Sequence, residues 1–156
     1  MKKELTEKAI VLLKDLISIQ SFSGEEDKTA NRIEKWFIEN EIIFNRSKNN
    51  IWALNRYYDS NKPTLLLNSH HDTVKPNTAY TRNPYKADIE NGKIYGLGSN
   101  DAGGALVSLI ALFTFYYKQK KLKYNLVIAA SGEEEIAGIN SLRGLIPKLP
   151  SIDLAI

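Results

Sequence analysis

Three short segments carry side chains that could do chemistry together. The first is Ser69-His70-His71-Asp72-Thr73-Val74 and the second is the glycine-rich stretch 96–104, with Asp101 inside it. The third is Ser131-Gly132-Glu133-Glu134-Glu135. Each follows apolar residues or a tight turn, so His70, Asp72, Asp101, Glu134 and Glu135 should project from the ends of strands. One imidazole with several carboxylates at strand ends is the donor set of a hydrolytic zinc site. Imidazole nitrogen and carboxylate oxygen both bind zinc at about 2.0–2.2 Å, and a further carboxylate can move protons.

Position strengthens each motif. The histidines lie just past a buried strand, where open α/β sheets place their sites. Asp72 can accept the other ring N–H of His70, which would fix the tautomer and raise the ring's basicity. His71 competes with His70 as the ligand, but alternation along an extended strand sends it to the opposite face from His70 and Asp72. The stretch Gly96-Leu97-Gly98-Ser99-Asn100-Asp101-Ala102-Gly103-Gly104 lacks the Lys-Ser/Thr of a phosphate loop. Asp101 stands where a dinucleotide fingerprint needs its third glycine, and an acid there would repel pyrophosphate. Asp101 is therefore either a helix N-cap or an acid presented by a turn and able to bridge two metals. The three glutamates sit between apolar flanks, and divalent cations are the usual means of offsetting such repulsion.

The elements that must position these residues alternate. Leu5, Ala9, Leu12, Leu16 and Ile19 recur at helical spacing and predict a helix over 3–18. Ser23-Gly24-Glu25-Glu26 reads as a capping box, with Ser23 as N-cap and Glu26 reaching back, opening a second helix with Ala30, Ile33 and Phe37 inward. Strands are expected over 42–45, 51–55 and 64–68, the last apolar enough to be buried on both faces. Segments 87–90 and 93–95 flank Asn91-Gly92, a hairpin signal. A third helix should start near Asp101 and end near Tyr117. A buried strand follows over 126–130, then a short helix over 139–145 and the start of a strand at 152–156. The pattern is α/β, with a largely parallel central sheet covered by helices on both faces.

Composition narrows the function. The chain has 156 residues, enough for one domain with a real core, and a net charge of +3. It has no cysteine, so any metal must be held by nitrogen and oxygen. The lysine cluster at 118–123 falls where a helix should end, which cations favour, so no nucleic-acid partner is expected. The N-terminus reads as an amphipathic helix and not a signal peptide. The apolar run at 105–117 is too short for a bilayer, so no membrane partner is expected and a cytoplasmic location is the default.

In order and separation, His70-x-Asp72, Gly96-x-Gly98-x-x-Asp101 with Gly104, and Glu134-Glu135 resemble the signature of the di-zinc aminoacylase, deacetylase and carboxypeptidase family. The wording of the first two loops is most similar to its acetylornithine deacetylase branch. Two positions depart from the family pattern: Leu97 replaces its usual arginine and Gly103 its usual lysine. The resemblance implies a three-layer sandwich of the zinc-dependent exopeptidase-like kind, and two zinc ions with cobalt or manganese as substitutes. It implies that His70 binds the first zinc, Asp101 bridges both, Glu135 binds the second, Glu134 is the general base and Asp72 orients His70. It also implies a cis Asp101–Ala102 peptide. The pair Glu134 and Glu135, against Glu133 and Glu134, rests on aligning residues 131–135 with the family's Thr-x-Asp-Glu-Glu.

The implied reaction is hydrolysis of a small-molecule N-acyl amino acid, N-acetyl- or N-succinyl-ornithine, in arginine biosynthesis. An aminopeptidase or dipeptidase of the same fold and a non-catalytic module are the alternatives. Each zinc would lack one ligand within 156 residues. In the family these are an acid after the strand at 152–156 and a histidine from a distant C-terminal segment. The chain is therefore expected to be a truncated, N-terminal part of a catalytic domain. The family's inserted dimerisation domain would be absent, the full-length protein would be a homodimer, and the piece alone would be inactive.

Overall fold

The computed structural model describes residues 2–156. Its centre is a five-stranded sheet in the order β1-β2-β6-β3-β7, formed by β1 (Asn45–Ser47), β2 (Asn50–Leu54), β3 (Thr64–His70), β6 (Asn125–Ser131) and β7 (Leu154–Ala155). The strands β6, β3 and β7 run parallel, while β1 and β2 form an antiparallel pair on the β6 side. A separate hairpin joins β4 (Asp88–Glu90) to β5 (Lys93–Tyr95) through Asn91-Gly92, both residues with positive φ as such a turn requires.

Hydrophobic alternation splits the sheet residues between two layers. Leu67 and Ile128 face the main core with α1 (Lys2–Ser18), α2 (Asp27–Glu39) and α3 (Gly104–Tyr116). Leu12, Ile33, Phe37, Leu106, Ile110 and Phe113 are buried there. Leu66 and Val127 face the other way, toward α4 (Leu142–Leu145) with Leu142, Leu149 and Ile152. Both β3 and β6 are thus covered on two faces, which is why they read as continuous apolar runs and not as alternating ones. The result is the expected α/β architecture of helices on both sides of a central sheet. No helix among the described residues is long and apolar enough to cross a membrane.

Four local expectations need correcting. The chain does not enter a strand at 42–45: Glu41 takes a positive φ, Ile42 turns into the core, and β1 begins at Asn45. The helix expected at Asp101 begins at Gly104. Asp101 itself is extended (φ −119, ψ 98) inside an irregular turn over Ser99–Gly103, so it is not an N-cap. The helix expected over 139–145 shrinks to Leu142–Leu145. Ala137 has positive φ, Ser141 is extended, and Ile139 is 86% exposed, so nothing apolar holds the earlier turn. The capping box does not form in the expected way. The helix α2 starts at Asp27, and the Ser23 hydroxyl is engaged elsewhere.

Because Leu67 is fully buried at the centre of β3, Leu67→Ala should lower unfolding free energy by about 2–5 kcal/mol, read in urea denaturation. A smaller loss would mean that the main core does not close over this strand.

Candidate metal centre

The parallel pairing of β3 with β6 sets the site. The register places His70 beside Ser131, so the two loops leaving these strands start next to each other at the carboxyl edge of the sheet. His70 closes β3. The loop after Ser131 brings Glu133, Glu134 and Glu135. Asp101 comes from the irregular turn between β5 and α3. There Gly98 takes a left-handed φ of 73, the Gly103 N–H donates to the Gly98 carbonyl at 2.8 Å, and the Asp101–Ala102 peptide is cis.

The side chains converge. His70 Nε2 lies 3.1 Å from Asp101 Oδ1 and 3.7 Å from Glu134 Oε2. Donor atoms of His70, Glu134 and Glu135 all lie within 4.8 Å of one another. On its other side the ring is held, because His70 Nδ1 is 3.0 Å from the Asp72 carbonyl oxygen and 3.3 Å from its Oδ1. Both Nδ1 neighbours are acceptors, so Nδ1 carries a proton. Nε2 faces the Asp101 carboxylate, and in the metal-free chain below about pH 9 it is protonated as well and donates to that oxygen. His70 is buried, whereas the Asp101 and Glu134 side chains are 77% and 58% exposed. The imidazole therefore forms the floor of an open cluster.

Asp72 is fully buried and has four donors around it. Ser23 Oγ donates to Oδ2 at 2.7 Å, and His70 Nδ1 approaches Oδ1. The backbone N–H groups of Glu134 and Glu135 donate to Oδ1 and Oδ2, each at 3.1 Å. Burial alone would oppose its ionisation. The bonds from His70, Ser23 and the two amides outweigh burial and hold the carboxyl well below the usual carboxylate range. The Asp72 carboxylate in turn raises the His70 pKa to about 9 against the cost of burial, with help from Asp101. Glu135 is raised above its ordinary value, first by burial and then by the negative charge of Asp101.

His71 is turned away, as alternation predicts. It is buried with Nδ1 2.9 Å from Thr29 Oγ1 and Nε2 2.9 Å from the Asn49 carbonyl, and burial pushes its pKa down. Glu133 is also turned away. Its carboxylate accepts from the Asn140 backbone N–H at 2.9 Å and side-chain amide at 2.7 Å. The spacing marks Ser23 as a cap that accepts from a helix N–H, but its hydroxyl instead donates to the buried Asp72 carboxylate, a charge-assisted bond stronger than a neutral one. Sequence held a signal for this only in hindsight, as a hydroxyl placed just before a helix that starts later.

The donor set fits a cation. Among the described residues no lysine or arginine pairs with Asp101, Glu134 or Glu135, and one imidazole faces all three. Imidazole nitrogen with carboxylate oxygens suits zinc and neighbouring divalent metals.

A sequence profile of the peptidase family M20/M25/M40 matches residues 66–155, more than half of the chain and all three motifs. The chain belongs to this family. Among M20/M25/M40 relatives, a succinyl-diaminopimelate desuccinylase of Blochmanniella floridana is 35% identical over 113 residues, covering 70% of this chain and 29% of that protein. An M20 metallo-carboxypeptidase of Sulfolobus solfataricus superposes with a TM-score of 0.74 at 27% identity, over 95% of this chain and 36% of that one. A dinuclear metal-binding M20 peptidase of Bacillus subtilis shares the fold, with a TM-score of 0.72 at 19% identity, over 98% of this chain and 42% of that one. The chain spans 29–38% of the length of the first curated relatives it matches.

Two titrations check this electrostatic arrangement. In the metal-free chain the His70 imidazole should titrate near 9 by NMR, and Asp72→Asn should bring it down toward 6.5. A value unmoved by Asp72→Asn would contradict the coupling. Because the folded pKa is raised, this contribution to metal-free stability is full below about pH 6.5 and is lost as pH rises through about 9. The contribution of Asp72 has the opposite sign, being present above about pH 3.9 and lost as pH falls. Zinc must displace the His70 proton, so its apparent affinity should rise about tenfold per pH unit below that pKa.

Proposed function

We propose that this chain forms the N-terminal part of the catalytic domain of a metal-dependent amide hydrolase that removes the acyl group from an N-acyl amino acid. The observation that carries the reading is the buried His70, locked at Nδ1 by Asp72, beside three acids that no lysine or arginine among the described residues neutralises. His70, Asp101 and Glu135 would hold a pair of divalent ions, zinc first and cobalt or manganese as substitutes. Bound there, such ions would supply Lewis-acid polarisation of the amide carbonyl and a lowered water pKa.

The remaining work falls to the chain's own groups. Glu134 is exposed beside His70 and free to accept the proton of the attacking water and return it to the leaving amine. Asp72 keeps the His70 Nδ1 proton in place, so that the ring does not turn or change tautomer. A catalytic zinc takes three protein ligands and an open position. One ligand for each ion would come from segments beyond this chain, in keeping with the fraction of its relatives that it spans. The isolated chain should then bind zinc weakly and not turn over. Operation in the cytoplasm, as a homodimer of the full-length protein, goes with the same reading.

The substrate class rests on two supports. The relatives named as succinyl-diaminopimelate desuccinylases favour an N-succinyl diamino acid. The wording of the His70 and Asp101 loops favours N-acetyl- or N-succinyl-ornithine. A second reading, hydrolysis of a short peptide, is favoured by the likeness to the Sulfolobus metallo-carboxypeptidase.

In a polypeptide that carries this segment together with the remaining two thirds, Glu134→Ala should lower turnover by about 10²–10⁴-fold while metal content stays unchanged. Retained turnover would refute the role of Glu134. Parallel assays with N-succinyl-diaminopimelate, N-acetyl-ornithine, N-succinyl-ornithine and dipeptides separate the substrate readings, and preference for dipeptides would displace the deacylase.

A further inference from the structure

Glu26 is a fully buried carboxylate that the proposed chemistry does not use. It lies just before α2, far in sequence from the acid loop. Its Oε1 accepts the Gly24 N–H at 2.7 Å and the Glu133 N–H at 2.9 Å, and its Oε2 accepts the Asn49 side-chain amide at 2.7 Å. The neighbouring amides of the loop are held likewise. The Gly132 N–H donates to Asn50 Oδ1 at 3.0 Å, and those of Glu134 and Glu135 donate to Asp72. Four successive backbone amides, 132 to 135, thus end on three side chains from outside the loop. Two of the three are buried carboxylates.

Space is tight where Glu26 meets the loop. A Cβ on Gly132 would stand 3.2 Å from both Cδ and Oε1 of Glu26, so the carboxylate lies almost on the backbone. The left-handed Glu133 (φ 54) then turns the chain, sends its own side chain to Asn140 and aims the next two residues at His70. Without the bond to Glu26 the Glu133 amide would be left to find water in a partly buried turn, and the turn would have no fixed register.

We propose that Glu26 is a positioning residue, whose buried carboxylate clamps the Glu133 amide and so sets the direction in which Glu134 and Glu135 face the metal centre. The proposal rests on the metal-centre reading for its functional meaning. The clamp makes assembly of the acid loop depend on docking of the segment that precedes α2. It works beside Asp72, one carboxylate for the first half of the loop and one for the second. A side chain at Gly132 would require the carboxylate to give by a few tenths of an ångström against the bond it holds to the Glu133 amide.

The test uses the chain itself, with zinc binding read by calorimetry, cobalt loading by visible absorption, and folding by circular dichroism. Glu26→Ala should weaken zinc binding by roughly 10–100-fold, the range seen when outer-shell partners of a metal site are lost, and should change the cobalt spectrum. Glu26→Gln keeps an oxygen for the Glu133 amide but turns an NH2 toward the Asn49 amide, so it should recover most of the binding lost in Glu26→Ala, a rescue that a general need for charge would not give. Gly132→Ala should also weaken binding, and the double variant should bind no worse than Glu26→Ala alone, since the new methyl then meets empty space.

Wild-type affinity in Glu26→Ala, or additive losses in the double variant, would overturn the proposal. If Glu26→Ala does not fold, Gly132→Ala decides, and wild-type affinity there would overturn it. If the wild-type chain takes up no metal, the metal-centre reading fails by itself. The clamp is then judged by hydrogen exchange, in which the 133–135 amides must exchange faster in Glu26→Ala than in Glu26→Gln, and equal protection overturns it.

Discussion

The site depends on one buried carboxylate. Asp72 takes the hydroxyl of Ser23, the Nδ1 side of His70 and two consecutive amides of the acid loop. A charge in that position would be costly without donors around it, and the four donors come from three separate parts of the chain. The same group therefore orients the imidazole and draws the glutamates toward it. Removing it would release both halves of the donor set at once, because among the described residues no other side chain hydrogen-bonds both the imidazole and the amides of the acid loop. The low pKa of Asp72 and the high pKa of His70 are two signs of the same pairing.

The fold supplies what a single carboxylate cannot. Parallel pairing of β3 with β6 in the register His70 to Ser131 sets the two strand ends side by side, and their burial on both faces keeps them there. Asp101 arrives on the irregular turn before α3, with backbone angles that no regular helix has. Three acids held close by such rigid elements repel one another, and the only positive partner among the described residues is His70 itself. That imbalance is the physical reason to expect divalent cations. It explains why the exposed acids sit over a buried imidazole and not in the reverse order.

Much of this was legible before any coordinates. Residues at the ends of apolar runs announced their own exposure, so the chemistry-bearing segments and the helix–strand order could be read directly. Alternation separated His70 from His71, and the structure places them on opposite sides as expected. The role of Glu26 and the true partner of Ser23 were not legible. Both resemble a helix cap in one dimension and become partners of distant loops only when β3 and β6 bring residues 72 and 133 near them. Glycine spacing marks a turn at Asp101 without saying whether a helix begins inside it, and the helix begins only at Gly104. The helix α4 is shorter than the spacing predicts because Ile139 faces outward and is left exposed.

The most direct measurement is anomalous diffraction at the zinc edge from crystals of this chain grown with zinc. The account predicts a peak at bonding distance, about 2.0–2.2 Å, from His70 Nε2 and an Asp101 oxygen, with Glu135 turned to the same ion or to a second one beside it. A zinc peak elsewhere, with these side chains pointing apart, would contradict it.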